Sequence, residues 1–320
     1  MTRVLITGGN GFIGSQLAER LEESGDTVTL FDLGFDSNSQ GLTCKKIRGD
    51  VRDYPAVKSA VDGQDAVFHL AAISRVAWGE QDPHTCWQTN LAGTVNVLEA
   101  CEKAQSRPAL FYASSREIYG EPENLPVNET ARPNPISVYG MTKLSAERAC
   151  RTYSAAFGRE NPVKQVVFRF SNVYGTLRDL PQRVIPTFMR KALGGEDITL
   201  YGGDQTLDFT FIDDTVHGIV QAYHAALDHH PEVYGEAFQF VTGRGVSVSE
   251  LARMIVKLTD SPSRVRRSPS NGFEVRRFVG DPSKARRMLG YEPKVRLEDG
   301  LKILRELMTA TPVGEARLAA

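Results

Sequence analysis

A glycine-rich turn near the start of the chain restricts its fold more than any other feature of the sequence. The turn, Gly8-Gly9-Asn10-Gly11-Phe12-Ile13-Gly14, follows a short apolar and β-branched run and precedes apolar residues at helical spacing. Strand, glycine turn and helix together form the context of a dinucleotide-binding fingerprint. Its three key glycines lie three residues apart, which differs from the common G-x-G-x-x-G spacing.

Five residues of this turn have predicted roles. Gly8 allows the tight turn, Gly11 lets the backbone approach a pyrophosphate, and Gly14 permits close packing of helix on strand. Phe12 and Ile13 begin the helix, whose N-terminus faces the negative charge of the ligand. These five residues are therefore predicted to contact a dinucleotide.

Two aspartates end the next strands and are candidates for the adenosine half of that ligand. Asp32 ends a second strand, where an acid meets the ribose hydroxyls and repels a 2′-phosphate, so we expect NAD and not NADP. An aspartate that only caps a turn would look the same. Asp50 and Val51 end a further strand and are predicted to border the adenine, although an ordinary strand-to-turn aspartate also fits.

Composition and charge set the class of protein. The chain has 320 residues, more than one core usually takes, and 41% hydrophobic residues arranged in alternating strand and helix patterns. A net charge of -1 argues against nucleic acid as a partner, and we find no apolar run long enough to span a membrane. The four cysteines lack metal-ligand spacing, so no metal site is expected. The N-terminus lacks the pattern of a signal peptide, and we expect a cytoplasmic protein.

The predicted fold is a Rossmann-type, doubly wound parallel sheet with a smaller, mixed α/β substrate-binding lobe. We expect residues 1–172 to form the dinucleotide-binding domain, with the segment at about 208–243 returning to it. Residues 173–207 and 244–320 would then form the lobe. The chain would cross between the two parts more than once.

A serine and a glutamate follow the strand that begins at Ala109. Ser115, Arg116 and Glu117 come at its C-terminal end, which is where open parallel sheets bind ligands. The strand before it ends at Leu70 and leads into Ala71 and Ala72, whose small side chains would let a cofactor lie against the backbone. His69, inside that strand, is better explained as a packed histidine than as a catalyst.

Tyr139 and Lys143 lie four residues apart on a predicted helix, for which Ser137 is the expected N-cap. A lysine charge close to a tyrosine favours the phenolate and would lower the pKa of Tyr139 from about 10. The phenol could then remove a proton from a substrate hydroxyl near neutral pH. By itself the pair would also fit a surface tyrosine beside a solvated lysine.

Together these motifs resemble the extended short-chain dehydrogenase/reductases, the NAD-dependent nucleotide-sugar epimerases and dehydratases. The resemblance covers nearly the whole chain. It rests on the following segments: Thr7-Gly8-x-x-Gly11-x-x-Gly14, His69-Leu-Ala-Ala72, Asn90-x-x-Gly93-Thr94, Ser115, Ile118-Tyr-Gly120, Tyr139-x-x-x-Lys143, Arg169-Phe-Ser-Asn172-Val-Tyr-Gly175 and Arg183-Val-Ile-Pro-x-Phe188.

The resemblance implies roles for particular residues. Tyr139 is the base, Lys143 tunes it and holds the nicotinamide ribose, and Ser115 hydrogen-bonds the sugar oxygen. It also implies contacts with the cofactor and with a nucleotide-diphosphate sugar. The cofactor residues are Leu70, Ala71, Ala72 and Asn90, and the substrate residues are Asn172 at the diphosphate, Leu200 and Tyr201 near the base, and Arg183. Helices that carry Asn90 and Tyr139 pair in this family, so a homodimer is expected.

The first chemical step is common to the family, whereas the second depends on Arg116 and Glu117. A glutamate at position 117 is typical of 4,6-dehydratases and UDP-glucuronate decarboxylases. The position of Arg116 is an acid in many dehydratases, and a guanidinium cannot donate that proton. We therefore favour a 4-epimerase, with dehydratase or decarboxylase as the alternative. If Arg116 faces the site, it could instead hold the carboxylate of a uronic acid.

A second departure from the family lies at Leu207, where an arginine usually clamps the diphosphate. Four arginines are candidates to replace it: Arg178, Arg183, Arg276 and Arg277. The nucleotide is left open by the sequence. A non-catalytic NAD-binding regulatory protein and a dehydrogenase with net turnover of NAD are the remaining alternatives.

Overall fold

The computed structural model describes residues 1–155, 161–228, 230–269 and 275–310. Two stretches of the predicted lobe, 270–274 and 311–320, lie outside the described residues. Within the described residues the strands are β1 Arg3–Thr7, β2 Thr27–Asp32, β3 Lys45–Arg48, β4 Ala66–His69, β5 Ala109–Ser115, β6 Gln165–Phe170, β7 Asn172–Tyr174, β8 Ile198–Tyr201, β9 Thr206–Phe211, β10 Ala237–Phe238, β11 Gly245–Ser247, β12 Val265–Ser268 and β13 Arg277–Phe278.

The helices alternate with these strands through the first half of the chain. They are α1 Phe12–Glu23, α2 Tyr54–Val61, α3 Val76–Gln81, α4 Pro83–Trp87, α5 Gly93–Lys103, α6 Val138–Ser154, α7 Val184–Leu193, α8 Ile212–Leu227, α9 Val248–Leu258, α10 Ser283–Leu289 and α11 Leu297–Ala310. A π-helical turn, Gln88–Ala92, joins α4 to α5 without a break, and a 3-10 turn, Arg116–Tyr119, follows β5.

The central sheet is parallel, and its described strands follow the order β10-β6-β5-β4-β1-β2-β3. Alternate residues of β1 enter two separate cores, because side chains alternate across a strand. Val4 and Ile6 pack on one side of the sheet, and Leu5 packs on the other. Helices α1 and α8 lie against each other on the first side, and α2 packs against α5, which contacts α6, on the second. The Rossmann-type fold predicted from the sequence is thereby confirmed.

Strand order reverses between β1 and β4, and this reversal positions the site. The chain crosses to one face of the sheet after β1 and to the other after β4, so the loops diverge at the C-terminal ends of these strands. Ligands of such sheets bind in the resulting crevice. The glycine turn after β1 and the Leu70–Ala72 segment after β4 both open onto it.

The lobe is built around two small sheets. In one, β9 pairs with β7, β11 and β13, and in the other β8 pairs with β12. The chain returns to the central sheet through α8 and β10, which lies beside β6. Strand β9 belongs to the small sheet, and the return to the central sheet begins with α8 at Ile212.

Candidate active site

A cleft of about 1020 Å³ lies between the C-terminal edge of the central sheet and the lobe. On the sheet side it is lined by the glycine turn, the ends of β2, β4 and β5, and the first turns of α6. On the lobe side it is lined by β7, α7, β8 and β9. Most of the predicted site residues therefore face one cavity, and the exceptions are named below.

The glycine turn is too tight for side chains. Gly8 has a φ of +71°, and a Cβ on it would lie 2.6 Å from the Ala71 nitrogen. A Cβ on Gly14 would lie 2.2 Å from the Gly8 carbonyl oxygen. Gly11 is the N-cap of α1 and contributes no side-chain cap, so the first turn of the helix opens to the cleft. This cradle fits a pyrophosphate, since helix N-termini and exposed backbone amides bind anions.

Asp32 lies at the cleft edge and also braces the glycine turn. Its carboxylate accepts hydrogen bonds from the Asn10 nitrogen at 2.9 Å and the Leu33 nitrogen at 2.8 Å. Burial raises the pKa of Asp32, and these backbone bonds oppose the rise. Further along the rim, Arg52 pairs with Asp50 at 2.6 Å and lowers its pKa. Both acids are thus positioned before any ligand contact is made.

Asn90 occupies a different place from the one predicted. It does not line the cleft that the described residues form; it is 1% exposed and lies in the π-helical turn behind the wall. Its amide oxygen accepts a hydrogen bond from the Ile73 nitrogen at 2.8 Å. Its amide nitrogen donates to the Ile73 carbonyl at 3.1 Å and to the Thr142 hydroxyl at 3.0 Å. The structure therefore assigns it a bracing position between the loop after β4 and α6.

His69 is a packed histidine, as expected. Its ring nitrogens contact the hydroxyls of Thr7 at 2.7 Å and Thr94 at 2.9 Å. Complete burial lowers the pKa of His69 to about 3. It is therefore neutral at physiological pH and serves to tie β1 to α5 across β4.

Ser115 and Tyr139 are brought together by two capped turns. Ser115 ends β5, and its hydroxyl accepts a hydrogen bond from the Glu117 nitrogen at 3.2 Å, which starts the 3-10 turn. Ser137 caps α6 by accepting from the Gly140 nitrogen at 3.0 Å, as the sequence predicts. These caps place the Tyr139 phenol within hydrogen-bond reach of the Ser115 side chain.

The predicted effect of Lys143 on Tyr139 is wrong in this structure. Burial raises the pKa of Tyr139 to about 12, and the hydrogen bond to Ser115 is the largest opposing influence. The Lys143 amine donates to the Ala113 carbonyl at 2.8 Å and lies 5.2 Å from the centre of the Tyr112 ring. Burial lowers the pKa of Lys143 to about 8. Desolvation thus acts against the charged form of both residues.

Arg116 and Glu117 form a shielded ion pair on the cleft wall. The Arg116 Nη2 atom lies 2.9 Å from Glu117 Oε1, and the two side chains are 11% and 9% exposed. Nη2 also approaches Asn172 Oδ1 at 3.5 Å. Glu117 is therefore held by its sequence neighbour and does not point freely into the cavity.

The substrate residues predicted for the lobe divide into two groups. Asn172, Arg183, Leu200 and Tyr201 line the cleft together with Leu207. Arg276 and Arg277 are exposed, and neither lines the cavity as the described part of the chain defines it. Strand β13 carries Arg277 beside β9, but both side chains face solvent, so their predicted contact with substrate is not supported.

Sequence reasoning missed two cleft residues. Asp179 is buried, its carboxylate lies 3.5 Å from Arg183, and burial raises its pKa to about 6. Arg75 donates across the cleft to the Gln182 carbonyl at 3.4 Å. Both lie in irregular loops, where no periodicity or motif marks a residue as buried or facing a ligand, so the sequence offered no signal for either.

Comparison with known proteins agrees with this geometry. Residues 4–235 match the model of the NAD dependent epimerase/dehydratase family, and the chain belongs to that family. NAD is accordingly its cofactor. The family resemblance and the Rossmann-type fold that the sequence predicts are both confirmed.

Individual relatives catalyse different reactions. The chain is 29% identical over 304 residues to a UDP-glucose 4-epimerase of Corynebacterium glutamicum, with 91% of each chain covered. It is 33% identical over 322 residues to a UDP-N-acetyl-alpha-D-glucosaminuronate decarboxylase of Bacillus cytotoxicus, covering 94% of this chain and 95% of the relative. The structure of a UDP-glucose 4-epimerase of Thermotoga maritima with UDP-glucose superimposes with a TM-score of 0.87 at 30% identity, over 96% of this chain and 99% of the other.

The described residues contain neither a metal-ligand cluster nor a membrane-spanning helix. No three or more His, Cys, Asp or Glu side chains are grouped there so that they could hold a metal ion. None of the described helices is sufficiently long and apolar to cross a membrane.

Proposed function

We propose that this protein is an NAD-dependent nucleotide-sugar 4-epimerase. The proposal is supported by the convergence of the glycine cradle, Ser115, Tyr139 and Lys143 on one cleft. The residues that would hold NAD are Gly8, Gly11, Phe12, Ile13 and Gly14 at the pyrophosphate, Asp32 at the adenosine ribose, Asp50 and Val51 at the adenine, and Leu70, Ala71, Ala72 and Lys143 at the nicotinamide half. When bound, NAD accepts hydride from the sugar C4 and later returns it, which makes a 4-keto sugar the shared intermediate of the family.

Tyr139 takes the proton from the sugar 4-hydroxyl in this proposal. Its pKa of about 12 means that the phenolate is scarce near neutral pH, so nearby positive charge must favour it. Arg183 already acts in that direction. Ser115, which lines the cleft with Tyr139, would hold the sugar oxygen in line with the phenol and pass on the proton.

The observation that carries the choice of epimerase is the Arg116–Glu117 ion pair. A dehydratase or decarboxylase of this family needs its glutamate to act on the sugar. Here Glu117 accepts a charge-assisted bond at 2.9 Å, and any proton that it took up would have to displace that bond. An epimerase needs no third acid or base, because the ketone only has to turn over before the hydride returns.

A dehydratase or decarboxylase is the second candidate. Glu117 is retained, lines the cleft and lies two residues from Ser115. Movement of Arg116 toward a substrate anion would release it. The 33% identity of the chain to a decarboxylase also favours this candidate.

Product analysis separates the two candidates. The protein would be incubated with NAD and with UDP-, GDP-, dTDP- and CDP-sugars, including UDP-glucuronate, and products identified by mass and NMR. Tyr139→Phe protein prepared in the same way controls for contaminating activity. A product of unchanged mass with inverted C4 supports the proposal, whereas loss of water or carbon dioxide refutes it in favour of the second candidate.

We also propose a homodimer formed through the helices beside the cleft. Trp87 on α4 and Met141 on α6 are large apolar side chains, and they are 36% and 42% exposed. Covering such a face against a second copy would remove apolar surface from water. Light scattering that shows only monomer at micromolar concentration would contradict this.

A further inference from the structure

One nitrogen of Arg116 has an unmet hydrogen-bonding requirement. Nη2 contacts Glu117 and Asn172, but Nη1 is buried and makes no hydrogen bond within the part of the chain that the structure describes. A guanidinium carries five N–H donors in a fixed fork, and Glu117 occupies only one side of it. A buried, charged donor without a partner is unfavourable unless a ligand supplies one. The Arg116 side chain lines the cleft that would hold such a ligand.

The guanidinium lies where the family arginine is missing. Its central carbon is 5.7 Å from the centre of the Phe278 ring. Phe278 is the direct Cα partner of Leu207 in the β13–β9 pair, and directly paired residues present their side chains on the same face. Asn172 pairs with Phe209, two residues beyond Leu207 and on that same face. Arg116 therefore fills the corner between Phe278 and Asn172 beside Leu207.

The four arginines that the sequence offers as replacements are already engaged or lie elsewhere. Arg178 pairs with Glu19 at 2.8 Å, and Arg183 pairs with Asp179 at 3.5 Å. Arg276 and Arg277 are exposed outside the cleft. Of the five arginines considered for an anion at this place, Arg116 is the one with a buried donor left over.

The position of the corner indicates which anion it receives. The sugar has to reach Ser115 and Tyr139, and lobe residues that include Leu200 line the same cleft. Arg116 follows Ser115 in the chain, and its Nη2 atom lies 3.5 Å from Asn172 Oδ1 on β7, so it joins the sheet side of the cleft to the lobe side. The group that links sugar to nucleoside would have to pass between these two sides. We infer that Arg116 clamps the substrate diphosphate in place of an arginine at position 207. This inference rests on the proposed function and specifies how its substrate is held.

The test compares nucleoside diphosphates that carry no sugar. UDP, GDP, dTDP and CDP would be titrated calorimetrically into the NAD-loaded protein, and the tightest ligand carried forward to variants. Arg116→Gln should weaken it by about 10- to 100-fold, the range expected for loss of a charge-assisted, forked contact. Arg116→Lys should lose less, because it keeps the charge without the fork. Arg276→Gln, which removes an exposed arginine outside the cleft, is the matched control and should bind as wild type.

A variant that moves the arginine from position 116 to position 207 gives a stricter test of the inference. Adding Leu207→Arg to Arg116→Gln should restore most of the lost affinity, since both side chains reach the same corner. Circular dichroism and thermal melting of each variant exclude misfolding as the cause of weak binding.

Three results would overturn the inference. Unchanged affinity of the nucleoside diphosphate in Arg116→Gln is the first, and failure of Leu207→Arg to restore binding is the second. The third is a loss confined to UDP-glucuronate, with UDP and UDP-glucose unaffected, which would assign Arg116 to a sugar carboxylate. If the wild-type protein bound none of the four nucleoside diphosphates, the proposed function itself would fail, so the two failures are distinguishable.

Discussion

A buried ion pair behind the active site gives the most quantitative prediction. Glu147 lies on α6, four residues after Lys143, and its carboxylate bonds Arg169 at 2.5 and 3.2 Å and the Ser114 hydroxyl at 3.0 Å. The side chains of Glu147 and Arg169 are 3% and 2% exposed. Glu147→Gln keeps the shape but leaves the Arg169 charge buried without its counterion. We expect a loss of about 3–5 kcal/mol in the free energy of unfolding, the usual cost of removing one partner of a buried pair.

Arg151 supplies a control that bonds the same carboxylate. It approaches Glu147 Oε1 at 3.4 Å, but its side chain is 59% exposed. Water screens such a contact, so Arg151→Gln should cost only about 0–1 kcal/mol. Urea unfolding followed by circular dichroism would measure both variants. If Glu147→Gln were no more destabilising than Arg151→Gln, burial would not be what makes this pair strong.

Removing both charges refines the same prediction. Glu147→Leu with Arg169→Met abolishes the buried charge, and such replacements of whole pairs are often close to neutral. Arg169 also donates to the Tyr119 hydroxyl at 2.8 Å and the Glu129 carbonyl at 2.7 Å. These groups would lose a donor, so the double variant should recover only part of the stability lost in Glu147→Leu alone. Full recovery would mean that the outer bonds contribute nothing.

Three further predictions concern the cleft. Tyr139→Phe should lower turnover by about 10²- to 10⁴-fold while NAD still binds, as measured by product formation and cofactor titration; near-normal turnover would exclude the phenol as base. Burial lowers the pKa of Lys143 from 10.5 to about 8. Between these two pH values the unfolded chain keeps a proton on Lys143 that the folded protein has released. Wild-type stability should therefore rise relative to Lys143→Met by about 2–3 kcal/mol from pH 8 to pH 10, and a constant difference in parallel unfolding curves would refute the shift. Gly14→Ala should abolish NAD binding, because its Cβ would lie 2.2 Å from the Gly8 carbonyl oxygen, whereas Gly41→Ala has nothing within 4 Å and should bind NAD normally in the same titration.

The sequence predicts the parts of the site whose conformation is determined by residues close together in the chain. The glycine turn needs a φ of +71° at Gly8 and contact with neighbouring backbone, and only glycine meets both requirements. Ser137 caps α6 because its hydroxyl accepts from a nitrogen three residues away. Ser247 caps α9 in the same way, because its hydroxyl accepts from the Glu250 nitrogen at 3.1 Å.

The parts that it does not predict depend on burial and on which chain segments meet. The spacing of Tyr139 and Lys143 indicates a shared helix face, but not that desolvation would raise one pKa to about 12 and lower the other to about 8. Asn90 fits a family motif, yet a π-helical turn sets it behind the cleft wall. The place of Arg277 beside Thr206 is set by the pairing of β13 with β9, which no sequence pattern specifies.

Arg116 bears on both the second chemical step and the binding of substrate, the two points at which this chain departs from its relatives. It holds Glu117, which bears on the second chemical step, and it fills the corner beside Leu207, which bears on substrate binding. A diphosphate at Nη1 would leave the Nη2 contact with Glu117 in place, so one guanidinium would both hold the substrate and restrain the glutamate. Nucleoside diphosphate affinity reports the first effect, and the mass of the product reports the second. A variant that lost affinity and also began to release water or carbon dioxide would show that Arg116 normally restrains Glu117, because no other group on the wall would have changed.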